Sequence, residues 1–252
     1  MYIRIEDGFY MVAGGDAGPG ISCFKDCNVY LLDDGGEAIL FDAGSGIDSQ
    51  WIFRNMEETG VPAEHLKYLF VTHCHGDHTG GLWEFQEKFP HCKVVAAPGE
   101  RRLIEEGTEF ELGLTAAKIK GAYPADYVFH HGHVDIEAQD GQEYHAGGMV
   151  ITPIITPIIT PGHSSESTCY LVCWRGRRML FSGDSVYKNG VLSLQNCYGS
   201  SLEDYRNYLP KLAGLNVDAL IPSHFGMALT EGQKHVDKAL AYLKSSALPP
   251  MV

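Results

Sequence analysis

Apolar and polar positions along this chain switch between a period of two and a helical period, and the switches mark its elements. Residues 28 to 42, NVYLLDDGGEAILFD, read as two strands around a turn at Asp33-Asp34-Gly35-Gly36, the second stopping at Asp42-Ala43-Gly44. From Ile47 to Thr59 the spacing of Ile52 and Met56 predicts a helix, broken at Gly60-Val61-Pro62. Lys67 to Val71 (KYLFV) reads as a buried strand, and Leu82, Phe85 and Phe89 share one face of a helix that ends at Pro90. Residues 93 to 98 (KVVAAP) predict another strand and Glu100 to Glu106 a short charged helix, an alternating β/α rhythm. The stretch from Gly107 to His133 breaks that rhythm. It is rich in glycine and aromatics, with a weak helix at 109 to 120, and is expected to form a lid or a wall of the substrate cleft.

Ile-Thr-Pro then recurs three times at a period of four. Pro153, Pro157 and Pro161 have the same parity, so an extended strand here should have one edge unpaired or covered. Ser167 to Trp174 and Arg178 to Ser182 predict a hairpin around Arg175-Gly176-Arg177, ending at Gly183-Asp184. Ser201 to Leu212 reads as a helix capped by Ser200 or Ser201, Val217 to Pro222 as a last strand before His224, and Thr230 to Tyr242 as a closing helix. No linker or charge block divides the chain, so residues 1 to 252 are expected to form a single domain.

Composition narrows the functions. With 252 residues and 44% hydrophobic content, a sizeable core is available. A net charge of −13 argues against nucleic acid or anionic membrane as partner and for a small-molecule substrate. No apolar run approaches the roughly 20 residues of a membrane helix, and the N-terminus lacks the pattern of an export signal. Seven cysteines, odd in number and without paired CxxC spacing, suggest reduced thiols. The expectation is a cytoplasmic protein whose oligomeric state is left open, a homodimer included.

The chemistry concentrates in Thr72 to Gly81, THCHGDHTGG. In extended chain His73 and His75 lie on one side, and Gly76 permits a sharp turn that brings Asp77 and His78 around. His163, Asp184 and His224 also follow predicted strand ends, and so does Asp42, where capping of a turn is the plain reading. Five histidines and two aspartates suit zinc first, with iron, manganese, cobalt or nickel as options. Seven ligands exceed one tetrahedral site and imply a dinuclear centre, in which a carboxylate can bridge two ions and a held water becomes the nucleophile of a hydrolysis. A second cluster, His130, His131 and His133, has no carboxylate beside it until Asp135 and reads as a solvated or cleft-lining strand start, as do His91 and His145 individually.

The pattern His73-x-His75-x-Asp77-His78 with His163, Asp184 and His224 at wide spacing resembles the metallo-β-lactamase superfamily in its glyoxalase II and lactonase branch, over residues 28 to 226. Asp42-Ala43-Gly44, Thr160-Pro161-Gly162-His163-Ser164 and Ser182-Gly183-Asp184-Ser185 resemble further blocks of that family. The resemblance implies an α/β (α+β) fold, an αββα sandwich of two mixed β-sheets flanked by helices. It implies two Zn2+ ions per chain, or iron or manganese: His73, His75 and His163 on the first, Asp77, His78 and His224 on the second, Asp184 bridging. Asp77 would also orient the nucleophilic hydroxide, and Asp42 would hold a ligand imidazole. Tyr187, three residues after Asp184, matches a lactonase tyrosine that touches the substrate carbonyl, which implies a donor to the developing oxyanion.

The chain lacks the glycine- and arginine-rich block of many glyoxalase II relatives, which turns the expectation away from glutathione thioesters. It also has only a short stretch between Asp42 and His73, where lactonases usually carry an insertion. The function expected is hydrolysis of a small ester, thioester, lactone or lactam. Phosphodiester or RNA cleavage and iron-dependent oxygenase chemistry are the alternatives on the same scaffold.

Overall fold

The computed structural model describes residues 1–160, 162–245 and 248–252, with backbone alone for 149–160. Its first sheet runs β1 (Ile3–Glu6), β2 (Phe9–Ala13), β3 (Val29–Asp33), β4 (Ala38–Phe41), β5 (Leu66–Phe70), β6 (Lys93–Ala96) and β7 (Ile136–Glu137), in that spatial order. The first three pairings are antiparallel and the last three parallel. The second sheet holds β8 (Tyr144–Ala146), β9 (Met149–Thr160), β10 (Ser167–Trp174), β11 (Arg177–Gly183) and β12 (Ala219–Pro222), in the spatial order β12-β11-β10-β9-β8. Only β11 and β12 pair in parallel there, so both sheets are mixed.

The period of two sorts side chains between layers. Phe9, Tyr30, Ile39, Phe41, Phe70, Tyr170, Met179 and Phe181 point between the sheets, while Leu31, Leu40 and Leu69 face one helix layer and Leu171, Leu180 and Leu220 the other. The outer layers are α1 (Gln50–Thr59), α3 (Leu82–Lys88) and α4 (Pro98–Glu106) on one side, and α6 (Leu202–Tyr208) and α7 (Gly232–Lys244) on the other. The expected αββα sandwich is therefore what forms. Its centre is aromatic: Phe41 stacks on Phe181 at 4.0 Å and lies 5.7 Å from Phe70, so Phe41→Ala should cost about 3–5 kcal/mol.

Two buried tyrosines cross from one sheet to the other. Tyr170 donates to Val71 O at 2.6 Å and Tyr30 to Pro222 O at 2.8 Å, each at the end of a strand that leads into a candidate ligand. Thr168 N donates to Thr72 O and Asn28 N to Ser223 O, both at 2.7 Å. These bonds fix the strand ends of the two sheets against each other.

Several sequence expectations shift. The N-terminal fifteen residues, read only for the absence of an export pattern, supply β1 and β2. The first helix starts at Gln50 rather than Ile47, and the weak helix at 109–120 shortens to α5 (Leu114–Ile119). Ser201 does cap α6, accepting from Asp204 N at 3.2 Å, but a 3₁₀ turn containing Pro210 completes the span to Leu212. The repeat strand β9 is flanked by β8 only at Met149–Ile151; from Thr152 to Ile155 its described ladder is to β10 alone. Pro153 lies on that stretch, and Pro161 lies outside the described residues. Among the described residues no helix is long and apolar enough to cross a membrane.

Candidate metal centre

Every candidate ligand sits just past a strand: His73, His75, Asp77 and His78 after β5, His163 after β9, Asp184 after β11 and His224 after β12. The motif departs from expectation at Gly76. This residue opens the short helix α2 (Gly76–Thr79) without a left-handed turn, and its want of a side chain is spatial: a Cβ there would stand 2.7 Å from Leu114 Cδ2. Gly183 meets both needs, with φ +53° and a Cβ position 2.9 Å from Thr72. That lets the chain carry Asp184 directly over the Thr72 loop.

The structure brings all seven residues together. His73 Nε2, His75 Nδ1 and His163 Nε2 form a triangle with sides of 3.2, 2.9 and 3.0 Å. Three ring nitrogens cannot all aim protons at one another at this distance, and the spacing approaches the edge of about 3.3 Å expected for zinc–nitrogen bonds in a tetrahedron. On the other side, His224 Nε2 lies 3.1 Å from Asp77 Oδ2, and His78 Nε2 lies 3.6 Å from the same oxygen. Asp184 Oδ2 stands between the two sets, 3.3 Å from His163 Nε2, 3.5 Å from His224 Nε2 and 3.8 Å from His78 Nε2. His78 Nε2 and Asp184 Oδ1 are buried with no hydrogen-bond partner among the described residues. Convergent lone pairs and orphaned buried atoms fit divalent cations held by two groups of ligands that share Asp184.

The far nitrogens set the tautomers. His78 Nδ1 donates to Asp42 Oδ2 at 2.9 Å and His163 Nδ1 to Ser193 O at 3.2 Å, leaving each Nε2 lone pair for the centre. His73 Nδ1 lies 3.1 Å from Thr72 Oγ1. Asp42 is fully buried and left-handed at φ 62°, a conformation that costs on the order of 1–3 kcal/mol in a non-glycine residue. It is held there by bonds from Thr72 N (2.8 Å), Thr72 Oγ1 (2.9 Å), Ser223 Oγ (3.1 Å) and His78.

Electrostatics divide the cluster. Burial pushes His73 and His163 well below the usual imidazole range and His75 down to about 4. Burial would lower His78 and His224 as well, but Cys27, Asp77, Asp42 and Asp184 around His78, and Asp184 and Asp77 around His224, raise both. For Asp77, burial alone would raise the carboxyl, yet His78 and His224 bring it well below the carboxylate range.

A cleft of about 330 Å³ opens onto Asp77, Asp184 and His224. Leu112, Leu114, Ala117, Ala122 and Tyr123 of the 107–133 stretch form one wall, and Tyr187 and Phe225 stand opposite, their rings edge to face at 5.3 Å. Tyr187 is buried, with Asp184 and Ser193 among the groups nearest its hydroxyl. Lys25, the sole Lys or Arg among the described lining residues, is paired with Asp16 at 2.7 Å. The second histidine cluster lies outside this cleft: His131 bonds to Ile104 O, His133 pairs with Glu105, and His130 packs on Trp83. Sequence reasoning missed Thr72, Ser193 and Ser223 as supports of the imidazoles. Only Thr72, inside the motif, carried a local signal.

A sandwich with histidines and aspartates gathered at its strand ends is the metallo-β-lactamase fold, whose members are mostly hydrolases. The sequence profile of the metallo-beta-lactamase superfamily matches residues 24–224, and the chain belongs to that family. It is 25% identical over 240 residues to a beta-lactamase-like protein 2 homolog of Caenorhabditis elegans, covering 95% of this chain and 68% of that protein. It is 26% identical over 232 residues to an atrochrysone carboxyl ACP thioesterase of Aspergillus fumigatus, covering 91% of this chain and 59% of the other. The chain thus spans little more than half the length of that thioesterase and of other fungal relatives. Among solved structures, a metallo-β-lactamase of Cronobacter sakazakii with a HARLDQ motif superposes with a TM-score of 0.69 at 25% identity, covering 98% of this chain and 94% of that one. A B3 metallo-β-lactamase with an active-site glutamic acid shares the fold at 0.69 and 16% identity, covering 97% and 89%.

Proposed function

We propose that this protein is a dinuclear metal-dependent hydrolase of a small, uncharged carbonyl compound, an ester, thioester, lactone or lactam. The observation that carries the reading is Asp184 Oδ2, set 3.3 Å from His163 of the three-imidazole group and 3.5 Å from His224 of the other. His73, His75 and His163 would hold one ion, Asp77, His78 and His224 the second, and Asp184 would be shared. Two bound zinc ions supply Lewis acidity toward a carbonyl oxygen and a water acidic enough to react near neutral pH, and iron or manganese would suit the same donors.

The chain's own residues do the rest. Asp77 is held by His224 and faces the cleft, where it can orient the attacking water or hydroxide. Asp42 keeps His78 in its Nδ1–H tautomer, and Ser193 does the same for His163. Tyr187, buried beside Asp184 in the cleft lining, would donate to the developing oxyanion. The 107–133 stretch serves as cleft wall, and its apolar lining excludes water from the acyl side.

Among the described lining residues the one Lys or Arg, Lys25, is already paired with Asp16, so the side chains add no free cation to the charge of the ions and favour an uncharged carbonyl compound over a phosphodiester. The fungal thioesterase relative supports a thioester within the substrate range. Chelation should abolish turnover of a panel of esters, thioesters, lactones and β-lactams, and zinc should restore it. Turnover that survives full metal removal would end the reading. Faster cleavage of bis-p-nitrophenyl phosphate would move it to phosphodiesters, and iron with oxygen consumption to oxygenase chemistry.

A further inference from the structure

A fully buried glutamate lies behind the three-imidazole group and takes no part in the chemistry above. Glu100 sits in the first turn of α4, which begins at Pro98. Its Oε1 accepts from Ser164 Oγ at 2.9 Å and from Glu166 N at 3.0 Å. Its other oxygen, Oε2, is buried with no hydrogen-bond partner among the described residues, and Cys74 lies close enough for its thiol to feel the carboxyl. With its own proton given to Glu100, Ser164 Oγ accepts from Ser167 Oγ at 2.6 Å. Cys74 is the residue between His73 and His75, and Ser164 is the residue after His163. One side chain is thus bonded to the loop of His163 and lies against the residue between His73 and His75. Placing a carboxyl at zero exposure costs several kcal/mol in desolvation unless its bonds offset it, which is hard to account for in a residue with only a filling role.

We propose that Glu100 is a positioning residue for the metal group of His73, His75 and His163, clamping the Cys74 and Ser164 loops so that the nitrogen triangle is formed before an ion arrives. Glu100 touches neither ion nor substrate; it acts through Cys74 and Ser164. The inference rests on the dinuclear reading only for what the triangle binds.

The test uses the full chain, stripped of metal and titrated with zinc against a competing chelator, as native protein, Glu100→Gln, Glu100→Ala and Ser164→Ala. Glu100→Gln should weaken one of the two zinc equivalents by about tenfold to hundredfold, the range for loss of a support behind a ligand, and leave the other unchanged. In the cobalt-substituted protein its visible spectrum should change for that site. With zinc saturating, kcat should fall while KM stays within twofold. Ser164→Ala should show the same pattern more weakly, and it decides the matter together with Glu100→Gln if Glu100→Ala does not fold. A lowered Tm with native zinc affinity and a native cobalt spectrum would reduce Glu100 to a structural residue and overturn the proposal, and so would a native protein that binds no zinc. Weakened zinc binding in Glu100→Gln beside a native protein inactive on every carbonyl substrate would sink the hydrolase reading and leave Glu100 in its role.

Discussion

The two halves of the ligand cluster use the same side chain to opposite ends. His73, His75 and His163 face one another, and burial keeps them below the ordinary imidazole range. Their supports are neutral, a hydroxyl at Thr72 and a carbonyl at Ser193. His78 and His224 are as enclosed but lie among Asp77, Asp184 and, for His78, Asp42, which favour the charged ring. What differs is carboxylate content, and the motif itself deals it out: His73 and His75 turn to one side, Asp77 and His78 to the other. A neutral-ligand half binds a cation without cancelling its charge and keeps it a strong Lewis acid, whereas an acidic half holds its ion more tightly and lowers its acidity.

The sharpest way to break this division is at the residue the halves share. Asp184→Asn should remove the charge between them, leave fewer than two zinc ions per chain by elemental analysis, and lower kcat/KM by at least about 10³-fold, roughly 4 kcal/mol. Two retained ions with activity within tenfold of native would show that Asp184 is not shared. His163→Ala and His224→Ala should each lose about one ion and about 10²-fold in kcat/KM, close to 2.7 kcal/mol. The division predicts that the ion kept is the one in the untouched half, so cobalt spectra of the two variants should differ. Identical spectra would mean a single merged site.

Much of this was legible in the chain. Apolar runs in NVYLLDD, AILFD, STCYLVCW and RMLFS gave strands that the structure places with one face between the sheets, and the polar residues after β5, β9, β11 and β12 are the ones that reach the centre. Periodicity failed where the elements are short. The strand of β7 has two residues and β8 three, too few to show a period. In β1 the alternation Ile3-Arg4-Ile5-Glu6 is itself a period of two, so that edge strand was legible over four residues but too short to stand out. The ligands were legible because each follows a predicted strand end, whether clustered at 73–78 or far apart as His163, Asp184 and His224 are. Glu100 and Ser193, by contrast, support histidines 63 and 30 positions away in sequence and act through bonds that form only once the layers pack. Gly76 looked like a hinge because glycine commonly is one, when its role here is to leave room for Leu114.

A smaller effect should separate the charged support from the neutral ones. Asp42→Asn keeps the shape and the bond from Thr72 N, while it removes the charge behind His78 and puts an NH2, which cannot accept, in place of Oδ2. It should weaken zinc in the acidic half by about tenfold to hundredfold, equal to about 1.4–2.7 kcal/mol, without changing affinity in the other half. Equal weakening of both equivalents would show that Asp42 supports the whole strand-end assembly through Thr72 and Ser223 rather than one imidazole.

The last and smallest contrast is in protons, and it is read on the metal-free protein. His75 is held near 4 by burial, against about 6.5 in an unfolded chain. Above pH 6.5 both states are neutral there and its contribution to stability is intact. Between 6.5 and 4 the unfolded chain takes up a proton that the folded one refuses, so stability is lost as pH falls, by about 1.4 kcal/mol per unit for each such group. His73 and His163 shift in the same direction. His224 is raised, so its contribution is complete below pH 6.5 and lost as pH climbs through its folded value. Tm measured from pH 4 to 9 should therefore fall on the acid side less steeply in His75→Gln than in the native chain, and on the alkaline side less steeply in His224→Gln. If both substitutions flatten the same limb, the two halves do not differ in the protons they hold.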